Sequence, residues 1–289
     1  MQDKRILIAG CGKIGMRLAK VLAEQFQVWG LSRSVSSNEQ HIQFIQADLR
    51  DKDALRLAFE TMPNTQFDYV VYCLTPADRT EQAYRDIYIQ GVENLLNTLP
   101  LANKLRRFYF VSSTSVYHQD DFSVVNEDSP TQPDSFSGKV LLEAERSLSR
   151  FNIRTSVVRF SGIYGGHRSH LIESIKMDKS PLSSSARFSN RIHEDDCVGF
   201  LAHLIQQQAE GTENKERYLA TDSCPVDLNE VIQWIADKIN TSVIVKSESN
   251  FKRRSGNKRC SNIRMLGSGY QLKFPSYREG YAEMMLKLT

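Results

Sequence analysis

A short apolar run, Ile6-Leu7-Ile8-Ala9, leads directly into Gly10-Cys11-Gly12-Lys13-Ile14-Gly15, after which Ile14, Leu18, Val21 and Leu22 recur at helical spacing. This is strand, tight turn and helix, with three glycines at the joint. The first glycine permits the turn, the second lets a ligand approach the backbone, and the third lets helix and strand pack closely. The start of the helix then offers free N–H groups and the positive end of its dipole to phosphate oxygens. A glycine pattern alone is weak evidence, but its place between a strand and a helix is the context of a dinucleotide pyrophosphate site. Gly10, Gly12, Lys13, Ile14 and Gly15 are the expected contacts with that group.

The same alternation continues. Phe26 to Leu31 reads as a second strand and Ile42 to Ala47 as a third. Tyr69-Val70-Val71-Tyr72-Cys73-Leu74, Phe108 to Val111 and Thr155 to Phe160 are apolar runs of the kind buried on both faces of a parallel sheet. Helical stretches fall between them, at Asp51 to Glu60, Thr80 to Leu99 and Gly138 to Arg150, with a Pro- and Asp-rich loop from His118 to Ser137. Strand and helix in alternation imply an α/β fold, a Rossmann-type doubly wound parallel sheet. We expect residues 1–160 to hold the nucleotide and 161–289 to form a smaller, interleaved C-terminal substrate lobe. In the latter, helices are expected near 195–208, over Asp227–Asn240 with Asp227 and Glu230 as a capping box, and over Tyr277–Leu288.

The exit of the second strand carries Ser32 and Arg33 where a NAD-specific site places a carboxylate on the ribose 2′-hydroxyl. A guanidinium cannot accept that hydroxyl but pairs well with a 2′-phosphate. NADP is therefore the preferred cofactor, with NAD second.

Bulk properties exclude several classes. A chain of 289 residues can bury a substantial core, and a formal charge of +3 gives no nucleic-acid footprint. No apolar run approaches the roughly 18–20 residues needed to span a bilayer. Strand pattern begins at residue 5, as expected of a chain without a leader peptide. The five cysteines are scattered and contain no C-x-x-C, which favours a reducing, cytoplasmic setting over disulfides or zinc. The expected partner is a small molecule, with neither nucleic acid nor membrane, and a homodimer is compatible with the chain. His167-x-x-His170 lacks a third ligand nearby, so no metal is expected. Lys252-Arg253-Arg254 and Lys258-Arg259 form a basic run, readable as a solvated loop or as a clamp on a substrate phosphate.

Taken in order, the glycine turn, Ala47-Asp48-Leu49, Val111-Ser112-Ser113-Thr114-Ser115-Val116-Tyr117, Lys139 to Glu143, Arg159-Phe160-Ser161-Gly162-Ile163-Tyr164-Gly165, Arg191-Ile192-His193-Glu194-Asp195-Asp196 and the segment Ser261 to Tyr270 resemble the extended short-chain dehydrogenase/reductase superfamily. The resemblance is closest to its NAD-dependent epimerase/dehydratase family and covers nearly the whole chain. It implies Asp48 and Leu49 at the adenine, Leu74 and Thr75 along the cofactor, Ser113 as the active-site serine and Lys139 as the active-site lysine. Thr114, Tyr117, Tyr164 and Arg253 are the positions it places toward substrate, and the acids of 194–196 become caps and hinges.

The chain also departs from that pattern. The family's general acid/base is a tyrosine four residues before the lysine, where a shared helical face lets the ammonium lower the phenol's pKa. Here that position is Ser135, and a hydroxyl is a far poorer proton donor than a phenol of pKa about 10. The family's active-site asparagine is replaced by Tyr88, the acidic pair of the sugar-nucleotide 4,6-dehydratases is absent at Thr114-Ser115, and Ala9 occupies the first glycine of the usual turn. The resemblance is thus to an atypical branch lacking the active-site tyrosine. Tyr88, Tyr117 and Tyr164 are substitute phenols, each also readable as a packed aromatic. Two functions follow as expectations. One is an NAD(P)-dependent oxidoreductase or epimerase acting on a small polar substrate, nucleotide sugars included. The other is a non-catalytic NADP(H)-binding sensor.

Overall fold

The computed structural model describes residues 3–34, 39–62, 66–100, 105–166, 168–177, 182–246 and 256–287. Its central sheet has seven strands: β1 (Arg5–Ala9), β2 (Gln27–Ser32), β3 (Ile42–Gln46), β4 (Tyr69–Tyr72), β5 (Arg107–Ser113), β6 (Thr155–Phe160) and β7 (Arg217–Ala220). They lie in the order β7-β6-β5-β4-β1-β2-β3. The chain starts in the middle, winds outward through β2 and β3, then returns past β1 to β4 and beyond. The pairs β1–β2, β2–β3, β1–β4 and β4–β5 are all parallel, with Ile8 opposite both Gly30 and Val71. Helices cover both faces of such a sheet, which explains strands that are apolar throughout. Ile6, Leu7, Ile8, Tyr69, Val70, Val71, Phe108 and Phe110 have no exposure at all.

The helices are α1 (Lys13–Ala23), α2 (Lys52–Glu60), α3 (Glu81–Arg85), α4 (Gly91–Thr98), α5 (Phe136–Ser147), α6 (His170–Lys176), α7 (Glu194–Glu210), α8 (Leu228–Lys238), α9 (Ile263–Leu266) and α10 (Tyr277–Leu286). Local chemistry sets their ends. Asp51 caps α2 by accepting from the N–H groups of Asp53 and Ala54 at 3.1 and 2.9 Å. Asp227 caps α8 through Asn229 N, but Glu230 turns to Tyr277 and Arg278 rather than completing a capping box. The reciprocal box lies at Ser276 and Glu279, at the start of α10. The helix expected over Thr80 to Leu99 is not uniform, because residues Asp86–Gln90 between α3 and α4 form a π-helical turn. The loop after β5 also carries a short strand, Val124–Val125, paired in parallel with Arg259–Cys260.

The chain divides into two compact units. One comprises Met1–Val116, Gln132–Arg159 and Val198–Tyr218, and the other Tyr117–Thr131, Phe160–Cys197 and Leu219–Thr289. The second unit has its own core, in which Ile172, Val231, Ile232, Ile235, Tyr277 and Met284 are buried around Tyr164. No helix among the described residues is long and apolar enough to cross a membrane. All five cysteines are free thiols.

Candidate functional site

The glycine turn is built as its sequence requires. Gly10 has φ +104°, and a Cβ there would lie 2.6 Å from the carbonyl oxygen of Cys73. At Gly15 a Cβ would lie 1.9 Å from the Gly10 oxygen, so α1 sits directly on the turn. Gly12 differs: nothing lies within 4 Å of where its Cβ would be. Gly12 is also the N-cap of α1, without a side-chain cap, and the first turn of the helix carries no acidic residue. Open space over an uncapped helix start fits a phosphate group chemically, since the unclaimed N–H groups and the dipole both favour negative charge.

A cavity of about 290 Å³ extends from this turn within the first unit. Gly10, Ser32, Arg33, Asp48, Leu49, Leu74 and Thr75, all expected from sequence, line it together. Arg33 is exposed at its rim. The hydroxyl of Ser32 donates to Ser34 O at 2.7 Å, and the side chain of Gln46 donates to Arg33 O at 3.1 Å, fixing the strand exit that carries the guanidinium.

Sequence reasoning missed Arg50, Thr80 and Asp86, which line the same cavity. Arg50 grips both carboxylate oxygens of Asp48, with Nη2 at 2.7 Å from Oδ2 and Nε at 3.1 Å from Oδ1. That hydrogen bonding holds the Asp48 carboxyl below the usual carboxylate range. The signal was present, in an arginine two residues beyond an acid that the family pattern already singles out.

The residues expected to do chemistry are placed as follows. Ser113 ends β5, and its Oγ accepts from the N–H of Ser115 at 3.1 Å; Thr114 opens the 3₁₀ turn Thr114–Val116. Tyr88 lies in the π-helical turn, buried, and donates to Leu74 O at 3.2 Å. Burial pushes its phenol well above the ordinary tyrosine pKa. Ser135 is the N-cap of α5, accepting from Gly138 N at 3.2 Å, so its side chain terminates the helix. Lys139 is not among the residues that line the cavity beside the glycine turn. It is exposed on α5 and borders a separate depression with Glu143, Arg146 and Arg150. The reason is helical phase: Lys139 shares its face with Glu143 and Arg146, whereas Gly138 packs under Ser115 and Glu145 meets Ser112.

Glu145 was also missed by sequence reasoning. It accepts from Ser112 Oγ at 2.6 Å and from Arg159 Nη2 at 2.5 Å, and the side chains of Arg159 and Glu145 are only 2% and 5% exposed. This buried pair ties α5 and β6 to the end of β5 beside Ser113.

In the second unit, Tyr117 is buried, and Tyr164 packs on Tyr281 at 4.7 Å between ring centroids. Burial raises the Tyr164 phenol far above its ordinary range. Asp196 accepts from Tyr270 Oη and from the N–H groups of Lys273 and Phe274 at 2.7–3.0 Å. Arg253 and His167 lie outside the described residues.

The model of the NAD dependent epimerase/dehydratase family matches residues 6–216. A provisionally named NAD-dependent epimerase/dehydratase from Methylobacillus flagellatus is 34% identical over 99% of this chain and 98% of its own, with a TM-score of 0.81. The UDP-glucuronic acid 4-epimerase of Bacillus cereus, solved with NAD, is 20% identical over 96% of this chain and 95% of its own, with a TM-score of 0.74. The dTDP-glucose 4,6-dehydratase of Bacillus anthracis, also with NAD, is 14% identical over 96% of this chain and 94% of its own, at 0.74. No curated protein matches the chain. The match across most of the length, together with the glycine turn and its cavity, places the chain in the NAD dependent epimerase/dehydratase family.

Proposed function

We propose that the chain is an NADP-dependent oxidoreductase or epimerase of the short-chain dehydrogenase/reductase type, acting on a small polar substrate such as a nucleotide sugar. The observation that carries this reading is the open space at Gly12 over the uncapped start of α1, continuous in sequence with a turn that only glycines can build. The N–H groups of this turn, with Lys13 and Ile14, would hold the pyrophosphate. Asp48 and Leu49 would flank the adenine, and Leu74 and Thr75 would follow the cofactor inward. Arg33 would meet the 2′-phosphate, and NAD is the lesser alternative. When bound, the nicotinamide supplies hydride chemistry.

On the protein side, the Ser113 hydroxyl is free to donate to a substrate oxygen, because among the described residues its Oγ serves only as acceptor to Ser115 N. The Tyr88 proton is committed to Leu74 O and its phenol is a weakened acid, so the exchanged proton is assigned to water. The fold shared with the UDP-glucuronic acid 4-epimerase and the dTDP-glucose 4,6-dehydratase supports a sugar-nucleotide substrate. Incubation with NADPH and a panel of carbonyl substrates, read at 340 nm, tests the proposal. Cofactor consumption with one member is expected, and tight cofactor binding with no consumption by any member counts against it.

One observation favours the second reading, a non-catalytic NADP(H) sensor. Helix α5 spends Ser135 on its cap and turns Lys139 to a separate depression, so it presents no phenol and ammonium pair to the cavity. That reading expects nucleotide affinity without turnover, and a Ser135→Tyr variant as inert as the wild type would remove the version of it in which one lost residue accounts for the silence.

A further inference from the structure

The cavity beside the glycine turn is lined by three carboxylates and two guanidiniums, Asp48, Asp78 and Asp86 against Arg33 and Arg50. Left unpaired, such a set is a poor setting for a nucleotide that carries an additional phosphate, because like charges sharing a site repel. What the cavity accepts therefore depends on how these five charges are paired.

Asp48 is held by a single residue. Its Oδ1 accepts from the backbone N–H of Arg50 at 3.0 Å and from Nε at 3.1 Å, and its Oδ2 accepts from Nη2 at 2.7 Å. A fork of this kind fixes the carboxylate in position and in plane. The loop beneath it is fixed as well. Asn94 on α4 is buried and donates from Nδ2 to Leu49 O at 2.9 Å and to Arg50 O at 3.2 Å, and the N–H of Asp51 donates to Asp48 O at 3.0 Å. Hydrogen bonding from Arg50 holds the Asp48 carboxyl low, and the charge of Arg33 acts on it in the same direction, so Arg33 is within electrostatic reach. Beyond Arg50, the charge of Asp86 favours the charged guanidinium, and Asp86 itself accepts from Gln82 Nε2 at 2.7 Å. Arg33, Asp48, Arg50 and Asp86 thus form a chain of interactions that alternates in sign. Arg50 has a side chain 48% exposed, and an ion pair at such a place adds little to folding stability. Its effect falls on the cavity it lines.

We propose that Arg50 is a positioning residue for cofactor choice, which holds the Asp48 carboxylate on itself and cancels its charge, leaving the guanidinium of Arg33 to the 2′-phosphate of NADP. The proposal rests on the reading of the cofactor as NADP. Without Arg50, a mobile carboxylate stands near Arg33. It competes for that guanidinium and repels the 2′-phosphate. NAD presents a neutral 2′-hydroxyl instead, and a carboxylate at that place accepts from it. Arg50 therefore acts through Asp48 and not by touching the phosphate.

The test is calorimetric titration of the full chain with NADP and with NAD, read as the ratio of the two affinities. The ratio is the readout because Asp48 also flanks the adenine, which both nucleotides share. The wild type is expected to prefer NADP. In Arg50→Gln that preference should fall about fivefold or more, the scale of one unit charge acting on a phosphate at short range near a protein surface. Adding Asp48→Asn to Arg50→Gln removes the carboxylate and should bring the preference back to within about twofold of the wild type, the signature of two residues that act as a pair. An unchanged preference in Arg50→Gln overturns the proposal. So does a lost preference that Asp48→Asn does not restore, because Arg50 would then bind the phosphate itself. A wild type that binds NAD as well as NADP, or neither, refutes the cofactor reading and the role of Arg50 with it. A wild type that prefers NADP but is indifferent to residue 50 refutes only the role of Arg50.

Discussion

The hydroxyl of Tyr72, at the end of β4, donates to the carbonyl oxygen of Ile87 at 2.5 Å, and Ile87 lies inside the π-helical turn that interrupts α3 and α4. A side-chain donor inserted into a helical ladder is a recognised cause of such a turn. Gly91 makes room for it, since a Cβ there would lie 2.6 Å from the Tyr72 oxygen. The turn carries Tyr88, which holds Leu74 at the cavity beside the glycine turn.

Gly91→Ala is therefore expected to cost about 1–3 kcal/mol by overpacking against a ring held by Phe108 and Phe110. Tyr72→Phe is expected to cost about 1 kcal/mol for the lost bond. The double variant should be more stable than the sum of the two, because removing the oxygen removes the collision. Urea unfolding of all four proteins measures the coupling, and strict additivity would contradict this explanation of the turn.

The glycines of the first turn should separate into two kinds. Gly15→Ala places a methyl on the Gly10 carbonyl and is expected to compromise folding. Gly12→Ala meets no atom within 4 Å and has φ −72°, so its melting temperature should be close to that of the wild type. Its methyl projects into the space assigned to the pyrophosphate, and NADP affinity should fall at least tenfold, about 1.4 kcal/mol. Thermal melts paired with nucleotide titration distinguish the two, and a Gly12→Ala protein with unchanged affinity would remove the pyrophosphate from this position.

Arg33→Ala is expected to weaken NADP binding by roughly 1.5–3 kcal/mol, the range of hydrogen bonds to charged groups, while leaving NAD binding within about twofold. Competition titrations with the two nucleotides read the difference directly. Equal loss for both would move the 2′-phosphate elsewhere, and Arg50 is less suited because Asp48 already occupies its guanidinium.

Asp222 should reverse the usual dependence of stability on pH. It is 1% exposed, its Oδ1 accepts from Cys224 N at 3.1 Å, and burial pushes its carboxyl up to about 7. Arg191 lowers that value while Asp196 and Glu279 raise it. The folded chain therefore keeps this proton between about pH 4 and 7, where the unfolded chain releases it. Stability from this group is lost as pH rises through that window, by up to about 4 kcal/mol at its end. Asp222→Asn retains the acceptor for Cys224 and should flatten the profile, gaining stability at pH 8 but not at pH 4. Denaturation curves at both pH values check it, and identical slopes for variant and wild type would count against the shift.

The lining of the cavity beside the glycine turn was legible because it is made of local signals. A glycine turn, a strand exit and the residues after β3 and β4 each follow their strand within a few positions, and a parallel sheet delivers all such ends to one edge. Seven of the expected residues line one cavity for this reason. Helix α5 was not legible in the same way. Counting four residues back from Lys139 located Ser135, but which face of a helix meets the sheet depends on a phase that spacing alone does not supply. Here Gly138 and Glu145 set the phase, one by fitting beneath Ser115 and the other by pairing with Arg159.

The order of apolar runs and glycines determined the parallel α/β architecture and the place of the glycine turn, since backbone conformation and burial pattern are properties of short segments. Folding in three dimensions decided where the charges went. Lys139 is exposed and Lys258 is enclosed, although both are lysines in polar surroundings by sequence. What separates them is the company brought by distant segments, because Asn190 and Tyr117 meet Lys258 from far along the chain. The energy of a buried charge depends on those partners and on the water they displace, neither of which is written in the neighbouring residues.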